Sequence, residues 1–279
     1  MIIGASAPVG VFDSGFGGLS VLKTMRELLP GESFLYVGDH HYLPYGDKSD
    51  TQILRRSFII SNFLMRHNVK ALVVACNTAT AVAVNEMRRK LQLPIVAMEP
   101  AIKPAVSHSS NGKIGVLATE GTLGSHRFAD LIQRFSEGAQ IITQACSGLV
   151  ETIEEVGPMA AHTQELVGRY TRALLEQQVD AIVLGCTHYS FVRSTVEKLA
   201  GPGVGVLDAG PAVAQQLARR LADSRLLANP ALAGQVRFYT SGAADAVQPS
   251  VERLWSAGSV VQKLPAQYCR ATALIQPGG

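Results

Sequence analysis

Three things are missing from this 279-residue sequence: a block of basic residues, a paired-cysteine motif and a long uninterrupted apolar run. With no Lys/Arg cluster and a formal charge of only +3, it carries no electrostatic footprint for a nucleic-acid partner. Its four cysteines, Cys76, Cys146, Cys186 and Cys269, are widely spaced and form no CxxC. That argues against a disulfide framework and fits a reducing compartment. No apolar stretch approaches the ~18–20 residues that cross a bilayer. Residues 1–10 lack a basic segment followed by a long apolar one, so no signal peptide is expected. These absences together suggest a cytoplasmic protein with no membrane partner. Charged residues are scarce at 17%, against 47% hydrophobic, which argues against disorder. The length exceeds the usual limit of a single core, so two domains are expected.

What is present is a repeat. Val69-Lys70-Ala71-Leu72-Val73-Val74-Ala75-Cys76-Asn77-Thr78 is matched by Val179-Asp180-Ala181-Ile182-Val183-Leu184-Gly185-Cys186-Thr187-His188, at an offset of 186 − 76 = 110. Each copy reads as a buried parallel strand that ends in a small residue, a thiol and polar side chains. A second alignment, Gly10–Ser14 with Gly115–Thr119, has the similar offset of 115 − 10 = 105. The plain alternative is that buried parallel strands simply look alike. Strand-like and helix-like runs alternate almost throughout, the signature of an α/β fold. After Asp208-Ala209-Gly210-Pro211, a helix (213–222) and a strand-like run (236–240) lead into a tail. If that tail returns to the first half, the domains are 1–98 plus 209–279 and an inserted 99–208.

In open α/β sheets, ligands bind at the carboxyl ends of strands, which is where both thiols fall. A lone cysteine is often a buried, inert residue. Here both thiols precede an expected helix start, where N–H groups and the helix dipole favour a thiolate. Both are also followed by polar side chains that an apolar core would not tolerate unpaired. Cys146 and Cys269 lack these features and read as structural. Asp13-Ser14-Gly15-Phe16-Gly17-Gly18 is a glycine-rich strand-to-helix turn whose N–H groups suit an anion. It is neither a dinucleotide fingerprint nor a P-loop, so a small carboxylate is the better-sized ligand. Asp13 could orient or deprotonate a thiol, or serve only as an Asx-turn or helix cap. Pro44-Tyr45-Gly46 reads as a turn that is either a site or a plain connection. Thr119 and Thr122 place hydroxyls on the loop matching that of Asp13. His188, two residues beyond Cys186, is either an ordinary core histidine or a group that tunes the thiol and takes up a proton. Cys186-Thr187-His188 is not expected to bind metal, since no further ligands stand at metal spacing.

Taken together, Gly10-Val11-Phe12-Asp13-Ser14-Gly15 with Gly17-Gly18, Pro44-Tyr45-Gly46, Ala75-Cys76-Asn77-Thr78-Ala79 and Leu184-Gly185-Cys186-Thr187-His188-Tyr189 resemble the bacterial glutamate racemases. The resemblance runs from Gly10 to about Pro211. The thiol loops alone would fit the wider aspartate/glutamate and hydantoin racemase group; the opening motif narrows it. The resemblance implies two similar Rossmann-like α/β domains with mostly parallel sheets, related by a pseudo-twofold, and an active site in the cleft between them. It implies no cofactor, neither pyridoxal phosphate nor metal, and a homodimer. Cys76 and Cys186 would be the two acid/base groups, Asp13 assisting the first and His188 the second. A glutamate assists on the second side, matched here to Glu151, with Glu154 nearby. Ser14, Tyr45, Gly46, Asn77, Thr78, Thr119, Thr122 and Thr187 would hold the substrate glutamate.

The chemistry fits the residues. Racemisation needs a base on one face of Cα and an acid on the other, roles that two thiols can exchange. With no electron sink, the developing charge must meet hydrogen-bond donors in a site closed to water. Three other readings are a racemase of aspartate or a related acid, a thiol redox enzyme, and a two-domain protein that only binds a carboxylate. The redox reading lacks a CxxC, and the binding reading leaves two equivalent thiols unexplained.

Overall fold

The computed structural model describes residues 4–136 and 138–270; the extreme ends of the expected first domain, 1–3 and 271–279, lie outside them. The chain divides into two compact units, Met1–Met98 with Gly210–Gly279, and Glu99–Ala209.

The first unit carries strands β1 (Val9–Asp13), β2 (Phe34–Gly38), β3 (Ala71–Val74) and β4 (Ile95–Ala97). The second carries β5 (Lys113–Ala118), β6 (Gln140–Ala145), β7 (Ala181–Leu184) and β8 (Gly205–Leu207). The tail adds β9 (Val236–Thr240) and β10 (Val261–Lys263), and β9 pairs in parallel with β2. The strand orders are β10-β9-β2-β1-β3-β4 and β6-β5-β7-β8, and every pairing is parallel. The α/β architecture read from the sequence is therefore the observed one. β1, β2, β3 and β7 are buried along their whole length, which is why they read as unbroken apolar runs. β6 is an edge strand with half-exposed residues and lacks such a run.

The repeat extends to backbone register. Val9 pairs with Ala71 across β1 and β3, and Ile114 with Ala181 across β5 and β7. These are the same positions at the offsets of 105 and 110. Beyond each strand, Ala75 N–H donates to Phe12 O and Gly185 N–H to Leu117 O, both at 2.7 Å.

Helices α1 (Gly18–Leu28), α2 (Asp50–Arg66), α3 (Asn77–Lys90), α10 (Gly210–Asp223), α11 (Ala244–Leu254) and α12 (Ala266–Cys269) belong to the first unit. α4 (Ile102–His108), α5 (Glu120–Leu123), α6 (His126–Phe135), α7 (Leu149–Glu155), α8 (Ala161–Leu175) and α9 (Arg193–Ala200) belong to the second. α2 starts at a capping box: Ser49 Oγ accepts from Gln52 N–H, and Gln52 Oε1 accepts from Ser49 N–H. Its inner face joins Phe12, Val37, Val74 and the tail's Tyr268 in one buried cluster with Ile53, Ile60 and Phe63. In the second unit, two clusters hold Leu117, Ile182 and Leu184 on one side, and Ile114, Val116 and Val183 on the other. Successive β-strand residues face opposite ways, so one strand serves both clusters. α4 and α11 contain Pro104 and Pro249, which hid them from sequence patterning; Pro104 falls in the first turn, where no intrahelical N–H is needed.

Candidate functional site

The first unit gathers its polar groups where β1 and β3 end. Asp13, the last residue of β1, is fully buried. Its Oδ2 accepts the N–H of Gly15 at 3.1 Å, the N–H of Gly18 at 2.9 Å and the hydroxyl of Tyr36 at 3.1 Å. The glycine-rich turn thus spends these two N–H groups on the chain's own carboxylate, a correction to the expectation that they face a ligand. Position 18 must be glycine because a Cβ there would lie 2.8 Å from the Cβ of Asp13.

Cys76 follows β3 and caps α3, its Sγ accepting the Ala79 N–H at 3.4 Å. Its Sγ and Ser14 Oγ are 3.4 Å apart, and the thiol is buried. Asn77 is buried and Thr78 half-buried at the start of α3. The Tyr45 hydroxyl donates to buried Asp39 Oδ2 at 2.7 Å, so the phenol is committed inside the protein. Burial, reinforced by the Asp39 charge, pushes its pKa well up. Gly46 beside it is exposed, with nothing within 4 Å of a built Cβ. Asp39 in turn receives both Nε and Nη2 of Arg56, each at 2.8 Å.

The second unit uses the corresponding strand ends. Thr119 Oγ1 accepts the Thr122 N–H at 3.2 Å and lies 3.0 Å from Thr122 Oγ1. Cys186 is half-buried, and the segment after it, Thr187–Val192, is a 3-10 turn with no side-chain cap on it. The expected helix start is therefore absent here; α9 begins only at Arg193. Instead Cys186 Sγ has His188 Nδ1 at 3.7 Å, and His188 Nε2 donates to Glu154 Oε1 at 2.6 Å. Burial opposes charge on His188, but the Glu154 carboxylate and the hydrogen bonds to Cys186 and Glu154 outweigh it, leaving the imidazole pKa well above normal. His188 thus bridges the thiol and the carboxylate, one ring nitrogen toward each. Thr187 is buried alongside.

Glu151, the carboxylate first matched to this side, is exposed on α7; the one on His188 is Glu154, three residues on. A helix brings i and i+3 to the same face, so spacing alone could not separate them. Cys146 is buried with its pKa pushed up to about 12 by burial, as suits an inert thiol. Sequence reading missed Tyr36, Asp39 and Arg56. Arg56 did leave a signal: an arginine between Ile53 and Ile60 on the apolar face of α2. Among the described residues no group of three His, Cys, Asp or Glu could hold a metal ion, and no helix is long and apolar enough to cross a membrane.

The family model of the Asp/Glu/hydantoin racemases matches residues 9–217. The chain is 45% identical over 265 residues to the glutamate racemase of Methylococcus capsulatus, covering 95% of this chain and 98% of that one. A crystal structure of a glutamate racemase isoform from Bacillus anthracis superposes with a TM-score of 0.84 at 30% identity, covering 93% and 98%. The Escherichia coli glutamate racemase, solved with L-glutamate and the activator UDP-MurNAc-ala, superposes at 0.80 with 31% identity, covering 92% and 98%. Sequence and fold agree over nearly the whole length, and the chain belongs to the Asp/Glu/hydantoin racemase family, among its glutamate racemases.

Proposed function

We propose that the protein interconverts L- and D-glutamate by proton transfer at Cα between two thiols, Cys76 and Cys186. The observation that carries this reading is the pair of thiols at equivalent strand ends, each with its own polar support. For one enantiomer, the Cys76 thiolate removes the α-proton and the Cys186 thiol returns one to the opposite face; the reverse direction exchanges the roles. Both thiols end with their protonation swapped, which a return of protons through solvent resets. Asp13 supports Cys76. His188 supports Cys186 as an imidazolium held by Glu154, a charge that favours the thiolate beside it.

The transition state accumulates negative charge on the substrate, so fixed donors must meet it. The Asn77 amide and the hydroxyls of Ser14, Thr78, Thr119, Thr122 and Thr187 are donors of that kind, and Gly46 offers uncrowded backbone at the Tyr45 turn. The reaction is proposed to run without pyridoxal phosphate or metal. The product D-glutamate would feed peptidoglycan synthesis in the cytoplasm, and the working form would be a homodimer.

Proton NMR of L-glutamate with metal-stripped protein in heavy water, alongside optical rotation, tests the reaction. Loss of the Cα proton signal with rotation decaying to zero is expected. No exchange with reduced thiols would move the substrate to aspartate or another acid, and no exchange with any would favour a binding protein. Light scattering after size exclusion tests the dimer.

A further inference from the structure

Arg56 is among the largest fully buried side chains of the described residues, set in the middle of α2. Its guanidinium serves two segments far apart in sequence. Nε and Nη2 form the fork on Asp39, whose Oδ2 also accepts the Tyr45 hydroxyl. Nη2 also donates to the carbonyl of Tyr268 in α12 at 2.8 Å. The Tyr42 ring faces the guanidinium carbon at 4.2 Å, and its hydroxyl donates to the Cys269 carbonyl at 3.3 Å. Tyr42 and Tyr45 lie on either side of Leu43-Pro44, so the entry to the turn and its central residue are both tied to this cluster.

Stability alone is a weak reason for such an arrangement. A buried ion pair is often no better than well-packed apolar residues, while losing one partner leaves an uncompensated charge. Its geometry, by contrast, is specific: the planar fork fits Asp39 and a carbonyl at once, which a lysine ammonium cannot do in the same directions.

We infer that Arg56 is a positioning residue that couples the C-terminal helix α12 to the substrate turn Pro44-Tyr45-Gly46, so that the turn is set for substrate only while α12 is docked. This rests on the proposed role of Tyr45 and Gly46 in holding glutamate. Asp39 fixes the phenol of Tyr45, Arg56 neutralises and orients Asp39, and the Tyr268 carbonyl orients Arg56. Loosening α12 therefore frees the guanidinium and, through Asp39, the turn. The tail beyond β9, which sequence reading left without a role, acquires one.

Two full-length variants test this. Arg56→Lys keeps a positive charge beside Asp39 but loses the fork. KM for both enantiomers is expected to rise about tenfold with kcat within about threefold, the pattern of lost substrate binding. Amide exchange at 43–47 and 266–269 should quicken together. Tyr42→Phe removes only the hydroxyl to Cys269 and should move KM and both exchange segments the same way, by about threefold. A merely structural role would lower the melting temperature and leave KM of the folded protein unchanged. Faster exchange at 266–269 with unaltered KM and unaltered 43–47 would overturn the coupling. If Arg56→Lys fails to fold, Tyr42→Phe decides. If the wild type does not turn over glutamate, the proposed function falls while the exchange measurements still decide the coupling.

Discussion

In the first unit the side chain at the thiol is Ser14, from the turn that follows the neighbouring strand β1; in the second, support comes from the thiol's own loop and a helix, through His188 and Glu154. The backbones beneath are the same. Asp39 N–H donates to Asp13 O at 2.9 Å, and Cys146 N–H donates to Ala118 O at 3.0 Å. Thus Ala118 stands where the first unit has Asp13, and Cys146 where it has Asp39. The repeat preserved the position of the thiol and let its support diverge. Cys76 has a true helix behind it, capped by its own sulfur; Cys186 has a 3-10 turn and an imidazole whose pKa is raised by Glu154 instead. A helix N-terminus and a cation both stabilise an adjacent thiolate, so two unlike surroundings can serve the same chemistry.

That comparison breaks most decisively at the thiols. Cys76→Ala and Cys186→Ala should each lower racemisation by at least about a thousandfold in a circular-dichroism assay, the scale of a lost general acid or base. Each should keep elimination from a halogenated glutamate analogue of one hand only, and the two should keep opposite hands. A mutant that racemises near the wild-type rate would end the two-base scheme.

Next in size is the carboxylate behind His188. Glu154→Gln should lower kcat about a hundredfold, whereas Glu151→Gln should stay within about threefold. The reverse ranking would restore Glu151 to the role first read for it. Asp13→Asn should slow about thirtyfold the elimination from the halogenated analogue whose proton Cys76 removes and much less that of the opposite hand; an equal loss in both eliminations would mean Asp13 only braces the turn.

The smallest effect is on stability against pH. The folded pKa of His188 is raised, so its contribution is full below the unfolded value of about 6.5 and fades as pH rises through the folded pKa. The gap in urea midpoint between wild type and Glu154→Gln should accordingly be constant below about pH 6 and narrow on the alkaline side. A gap that widens with pH would contradict a charged His188 in the folded state.

Much of the site was legible because its signals are local. Each thiol ends an apolar run that a buried parallel strand requires, and Asp13 ends another. Where reading failed, the deciding contact was remote. β8 is three residues long, too short for a periodic pattern to show. The 3-10 turn after Cys186 looked like a helix start because Cys76-Asn77-Thr78 and Cys186-Thr187-His188 carry similar residues in the same order.

By itself the sequence determined the α/β class, the duplicated strand frame and the two thiols with their polar neighbours. Each follows from hydrophobic periodicity and residue type within about ten positions. Only the tertiary structure decided that Gly15 and Gly18 serve Asp13, that Tyr45 is turned onto Asp39, that Arg56 reaches the Tyr268 carbonyl, and that Glu154 rather than Glu151 meets His188. These pairings span 2 to 212 positions, as with Gly15 on Asp13 and Arg56 on Tyr268. Buried polar groups must find partners, and which partner each finds is fixed by how the elements pack.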